Sequence, residues 1–137
     1  MDTLTPEQRR RAMAAVKSRD TKPELVVRRL LHGAGYRFRL QRKDLPGKPD
    51  IVLTRFNAVI FVHGCFWHQH SGCKRALRPT TRREYWESKL DRNIERDAKT
   101  KLELERLGWR VHIVWECETQ NIDFLRRQLV QFLQVEK

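Results

Sequence analysis

AVIFVHGCFWHQHSGC, residues 58–73, is where the chain passes from a strand into chemistry. Ala58 to Val62 is an unbroken apolar run rich in β-branched residues, which reads as a strand buried on both faces. From His63-Gly64 onward follow two cysteines, two further histidines and two adjacent aromatics. A buried strand is rigid, so side chains at its end are held closely in place, as an active site requires. Cys65 and Cys73 with a histidine between them have the ligand types and short spacing of a zinc knuckle, and a tetrahedral site needs a fourth donor from elsewhere. Cys117 is the remaining cysteine and ends a second strand-like run, Val111 to Trp115, so a metal would tie two strand ends together. Spacing alone leaves both His68 and His70 open as the nitrogen ligand.

Toward the N-terminus, the turn Leu45-Pro46-Gly47-Lys48-Pro49 delivers Asp50 directly before the apolar Ile51-Val52-Leu53. Pro49 fixes the chain ahead of the acid and so sets a carboxylate at the lip of a strand. Alone, Asp50 would be an ordinary turn aspartate; with the next strand ending in histidines and cysteines, it reads as a site residue. Tyr36-Arg37-Phe38-Arg39-Leu40 alternates strictly, giving a strand whose basic face, Arg37 and Arg39, is a candidate phosphate contact. Thr21-Lys22-Pro23-Glu24 opens a helix, with Thr21 as cap, Pro23 in the first turn and Glu24 at the capping-box position. Leu25, Val26, Leu30 and Leu31 supply its core face, and Gly33 and Gly35 stop it. Residues 1–20 form a basic arm whose Arg- and Ala-rich helix begins at Thr5-Pro6 and runs to about Val16. That helix either orders against DNA or remains solvated.

Toward the C-terminus, a long polar helix covers Arg83 to Leu107. At about 100° per residue, Trp86, Leu90, Asn93, Asp97 and Leu104 fall within about 60° of one another on the stripe that meets the sheet. Asn93 and Asp97 are polar groups on an apolar face and need partners, either internal or at an active site. Gly108 ends the helix, Trp109 to Trp115 forms a strand and Asp123 to Leu133 an amphipathic helix. The order helix, strand, strand, strand, long helix, strand, helix gives an α/β domain with a short mixed sheet between helices. At 137 residues one domain is expected.

The net charge of +12 is unevenly placed: residues 1–55 carry 14 basic against 6 acidic groups and residues 74–106 carry 11 against 7. Basic charge interleaved with Phe, Trp and Tyr points to nucleic acid. Three cysteines without a signal peptide or a long apolar run imply a reducing cytoplasm and no membrane segment. An odd count cannot pair off as disulfides, whereas shared metal ligation employs all three.

Five stretches in one order, SRDTKPE (18–24), LPGKPD (45–50), VIFVHGCFWH (59–68), NIERD (93–97) and GWRVHIVWEC (108–117), closely resemble the very-short-patch repair (Vsr) DNA mismatch endonucleases over about residues 8–118. The resemblance implies a restriction-endonuclease-like three-layer fold, a variant of the PD-(D/E)XK type, with a structural zinc site. It implies strand-specific nicking of DNA on the 5′ side of the thymine in a T:G mismatch, the lesion left when 5-methylcytosine deaminates. Asp50 then matches the catalytic, magnesium-binding aspartate, His68 the proton-transfer histidine, His63 and Asp97 the residues that organise water around magnesium, and Glu24 an acid near the site. Val62 stands where some members have threonine, and its backbone carbonyl can ligate magnesium with either side chain. Cys65, His70, Cys73 and Cys117 match the zinc ligands, which selects His70 over His68. Phe66, Trp67 and Trp86 match aromatics that wedge beside the mismatch, and Asn93, Lys48, Arg37 and Arg39 complete the expected DNA contacts. The implied partners are double-stranded DNA with a T:G mismatch and a mismatch-repair matchmaker ATPase, with the enzyme acting as a monomer. A zinc-stabilised DNA-binding module without catalysis is the competing reading, but it leaves Asp50, His63, His68 and Asp97 without a purpose. A thiol redox enzyme lacks its Cys-x-x-Cys.

Overall fold

The computed structural model of the chain describes residues 21–134. The expected basic arm at residues 1–20 lies outside the described residues. The elements are α1 (Lys22–Gly33), β1 (Arg39–Leu40), β2 (Ile51–Leu53), β3 (Ala58–His63), α2 (Arg83–Arg106), β4 (Arg110–Trp115) and α3 (Ile122–Gln134), in the order the periodicity predicts. Short 3-10 turns at Thr54–Phe56, Lys74–Ala76 and Glu116–Gln120 join them.

The strands form one mixed sheet in the order β1-β2-β3-β4. β1 and β3 run antiparallel to β2, whereas β3 and β4 are parallel with His63 opposite Trp115. A parallel pair needs a long crossover, which α2 supplies. One face of the sheet carries Ile51, Leu53, Ala58, Ile60 and Val114 against Val27 and Leu31 of α1 and Leu125, Leu129 and Leu133 of α3. The other face packs Val52, Val59 and Phe61 on Leu104 of α2. Helices therefore cover both faces, and each fully buried leucine contributes roughly 1.5–3 kcal/mol.

Two local expectations are corrected. The core face of α1 is Val27 and Leu31, with Val26 and Leu30 at its margin, while Leu25 is exposed. The buried stripe runs through Glu24, Val27 and Leu31, so turning the carboxylate of Glu24 inward rotates Leu25 out. The strand expected over Tyr36 to Leu40 shrinks to Arg39–Leu40, since β2 offers only three residues to pair with. Tyr36 and Phe38 pack on the core as their alternation predicts, whereas Leu40, the third apolar residue of that face, is exposed. No helix among the described residues is long and apolar enough to cross a membrane.

Candidate functional site

Because β2 is antiparallel to β3, the start of β2 lies beside the end of β3. Asp50 Oδ2 accepts the Val62 N–H there at 2.7 Å. Gly47, at φ 72°, lets the preceding loop press so closely on α2 that a Cβ would collide with Thr100. Burial, reinforced by the charge of Glu24, raises Asp50 to about 7, against the Val62 hydrogen bond and the nearby His68 and Arg28. Glu24 is itself buried; its Oε2 accepts from Arg28 at 3.1 Å and from Gln41 Nε2 at 3.2 Å. Its backbone N–H meets the Thr21 cap at 3.4 Å, so capping and site placement coexist in one residue. Gln41, at φ 45°, also donates its N–H to the Asp50 carbonyl at 3.1 Å. No sequence signal marks Gln41, because its place follows from the pairing of β1 with β2.

His63, the last residue of β3, lies 6% exposed with its ring stacked on His68 at 3.7 Å between centroids. His68 Nδ1 is 2.6 Å from Asp97 Oδ2 on α2, so the polar stripe of the long helix does reach the strand end. Burial, with His68 beside it, pushes His63 down to about 4. His63 Nδ1 is buried without a hydrogen-bond partner among the described residues. Asp50, His63, His68 and Asp97 share a cleft of about 900 Å³ with the cations Lys48 and Arg96.

A second cluster lies at the same strand end. Ligand atoms of Cys65, His70, Cys73 and Cys117 all fall within 4.8 Å of one another, so this group could bind a metal. His70 Nδ1 is 3.7 Å from Cys65 Sγ and 3.5 Å from Cys117 Sγ. His68 instead faces Asp97. Burial pushes the Cys65 thiol up to about 12 and raises Cys117, while a hydrogen bond from the Arg75 backbone lowers Cys73. Trp115 stacks on His70 at 4.3 Å and sets its edge against His63 at 5.3 Å, so it touches both clusters, residues of which also line a common cleft. As the last residue of an apolar run, Trp115 carried no sequence signal beyond core.

Phe66, Trp67 and Trp86 meet edge to face or tilted, 5.1–5.9 Å apart, half-buried and outside both apolar cores. Tyr85, absent from the sequence reading, extends this cluster: it is exposed, packs on Trp86 at 5.2 Å and carries the Arg82 guanidinium 4.7 Å over its ring. Adjacent helical residues diverge by about 100°, so Tyr85 lies off the stripe that singled out Trp86. Asn93 Nδ2 donates to the Trp67 carbonyl at 3.0 Å, which gives this polar stripe residue its partner. Lys48 lines the cleft, but Arg37 and Arg39 line a separate groove with His32 and Arg55 at the Leu53 end of β2.

The family described as DNA mismatch endonuclease Vsr matches residues 1–75. The chain is 49% identical over 132 residues to the Type II nicking enzyme V.XorIIP of Xanthomonas oryzae pv. oryzae, covering 96% of each chain. It is 42% identical over 128 residues to the Type II nicking enzyme V.NmeAIP of Neisseria meningitidis, covering 93% of this chain and 91% of that one. To the DNA mismatch endonuclease Vsr of Escherichia coli it is 48% identical over 109 residues, covering 80% of this chain and 69% of that protein.

Proposed function

We propose, from the premise that this chain belongs to the Vsr family of DNA mismatch endonucleases, that its α/β frame is a restriction-endonuclease-like variant and that it nicks DNA 5′ of the thymine in T:G mismatches. Strand-specific nicking in mismatch repair is the activity of the family; the T:G preference and the metals are our reading. The observation that carries it is the single cleft in which a buried carboxylate, Asp50, meets the His68–Asp97 pair and the buried His63.

The donor sets suit two metals. A tetrahedral zinc with Zn–S of about 2.3 Å and Zn–N of about 2.0 Å would hold sulfur and nitrogen ligands roughly 3.6 Å apart. The separations of 3.7 and 3.5 Å around His70 match that ligand edge. Thiols that burial disfavours as thiolates also need a cation to ionise. In the cleft, Asp50 with the Val62 carbonyl would hold magnesium, and the unpartnered His63 Nδ1 suits a water of its hydration shell. Bound there, magnesium supplies charge stabilisation on the phosphoryl oxygens and a more acidic water.

The protein's own groups do the rest. Asp97 takes the Nδ1 proton side of His68, which leaves Nε2 with its lone pair to accept or return a proton at the phosphodiester. Burial keeps His63 neutral, so no like charge faces the His68 ring stacked on it. Lys48 and Arg96 add positive potential to the cleft, which attracts the backbone. Phe66, Trp67 and Trp86 present a rigid apolar wedge. Unstacking costs a few kcal/mol and costs least at a weakly stacked mismatch, so deformability becomes selectivity.

A nicking assay on duplexes carrying each mismatch in varied flanks, with and without magnesium, tests this reading. Cleavage 5′ of the T in T:G, dependent on magnesium, is the expected result. Binding without any nick would establish the non-catalytic module instead, and equal cleavage of all mismatches would remove the T:G assignment.

A further inference from the structure

Gln69 and Arg78 belong to neither metal cluster, yet they are hydrogen-bonded to each other beside the aromatic pair. Gln69 holds a left-handed backbone, φ 53°, which non-glycine residues adopt only at a cost. That turn returns its side chain to its own loop, where Nε2 donates to the Phe66 carbonyl at 2.7 Å. Arg78 Nε donates to Gln69 Oε1 at 2.9 Å, and Arg78 Nη2 donates to Asp91 of α2 at 2.8 Å. A planar guanidinium can hold two partners at a fixed angle, which a lysine ammonium on a flexible stem cannot. The Trp67 carbonyl is separately held by Asn93. Both peptide carbonyls of the aromatic pair are thus anchored to one helix, the helix that also carries Trp86.

We propose that Gln69, Arg78 and Asp91 form a brace that fixes the height of Phe66-Trp67 against Trp86 and thereby sets the mismatch preference. This rests on the wedge role proposed above. Surface ion pairs contribute little to stability, so an Arg78–Asp91 pair of this exposure has its main effect as geometry rather than as folding energy. A wedge free to tilt would be inserted by paired and mismatched DNA alike, after reordering that both must bear. Gln69 and Arg78 are positioning residues.

Gln69→Gly is the cleanest probe, since glycine accepts the left-handed backbone and only the side chain is lost. Arg78→Lys keeps the charge but not the two-partner geometry. In both variants the T:G preference, measured as the ratio of single-turnover nicking of mismatched to paired duplex, is expected to fall about tenfold. Metal content should stay at the parent's value, and tryptophan fluorescence should become more open to acrylamide quenching. An unchanged ratio in both variants overturns the brace. So does an Arg78→Gln variant that binds all duplexes alike more weakly with a shallower salt dependence, which would make Arg78 a phosphate contact. A Phe66→Ala, Trp67→Ala double variant keeps the two failures apart. If it discriminates as well as the parent, the wedge reading falls and the brace with it; if it loses preference while the brace variants keep theirs, only the brace falls.

Discussion

The two clusters at the end of β3 are interleaved along residues 63–73, yet their donor sets differ: three thiols and an imidazole in one, carboxylates and imidazoles in the other. In the Cys65, His70, Cys73 and Cys117 group the four donor atoms, three of them sulfur, all lie within 4.8 Å of one another, as do those of His63, His68 and Asp97. In the Asp50, His63, His68 and Asp97 group one carboxylate is strapped to a backbone amide, one buried nitrogen has no partner among the described residues, and all four line one cleft. A closed soft shell stabilises a fold, while an open hard one leaves room for substrate. Trp115 touches both, stacked on a histidine of one and edge-on to a histidine of the other.

The harshest way to break this contrast is Cys117→Ser. If the closed group is structural, the variant should lose bound metal and several kcal/mol of stability, a fall of roughly 10 °C or more in Tm by calorimetry. Retention of metal and Tm would dissolve the distinction. Asp50→Ala attacks the other side: nicking should drop by about 10³-fold or more, the scale of lost Lewis-acid stabilisation, while metal content at the closed site and mismatch binding persist. Weaker binding in a gel-shift assay would give Asp50 a role in holding DNA. Next, His68→Ala should lower single-turnover nicking by about 10²- to 10⁴-fold and keep the closed-site metal. Loss of that metal would show that His68 and His70 exchange places.

The smallest expected effect is on stability against pH. Asp50 at about 7 in the fold lies above its ordinary 3.8, so it binds its proton more tightly when folded, and stability falls as pH rises through that window. His63 at about 4 lies below its ordinary 6.5, so its contribution is complete above 6.5 and lost as pH falls toward 4. The two oppose each other between about 4 and 6.5. Asp50→Asn removes only the first. Without added magnesium, this variant should therefore melt higher than the parent at pH 8, with the advantage shrinking toward pH 4. An equal Tm at pH 8 would mean that the Asp50 carboxylate is solvated rather than held at a cost for catalysis.

The sequence by itself determined the element order, the carboxylate at the lip of a strand and the cysteines that meet at one strand end, because each is written in local pattern. Alternation, a 3.6-residue stripe and a Pro-fixed turn act within a few residues of chain, and no distant contact can overrule all of them at once. Only the tertiary structure decided the rest. His68 and His70 are two residues apart, and spacing alone left both open; the family resemblance selected His70, and the structure sets its Nδ1 beside the thiols while His68 meets Asp97. Leu25 turned outward because Glu24 turned in toward Arg28 and Gln41. Arg37 and Arg39 kept their shared face but left the cleft, since the antiparallel register of β1 carries them toward the far end of β2. Such outcomes hang on strand register and helix rotation, which are fixed by packing across the sheet and have no short-range signature in the chain.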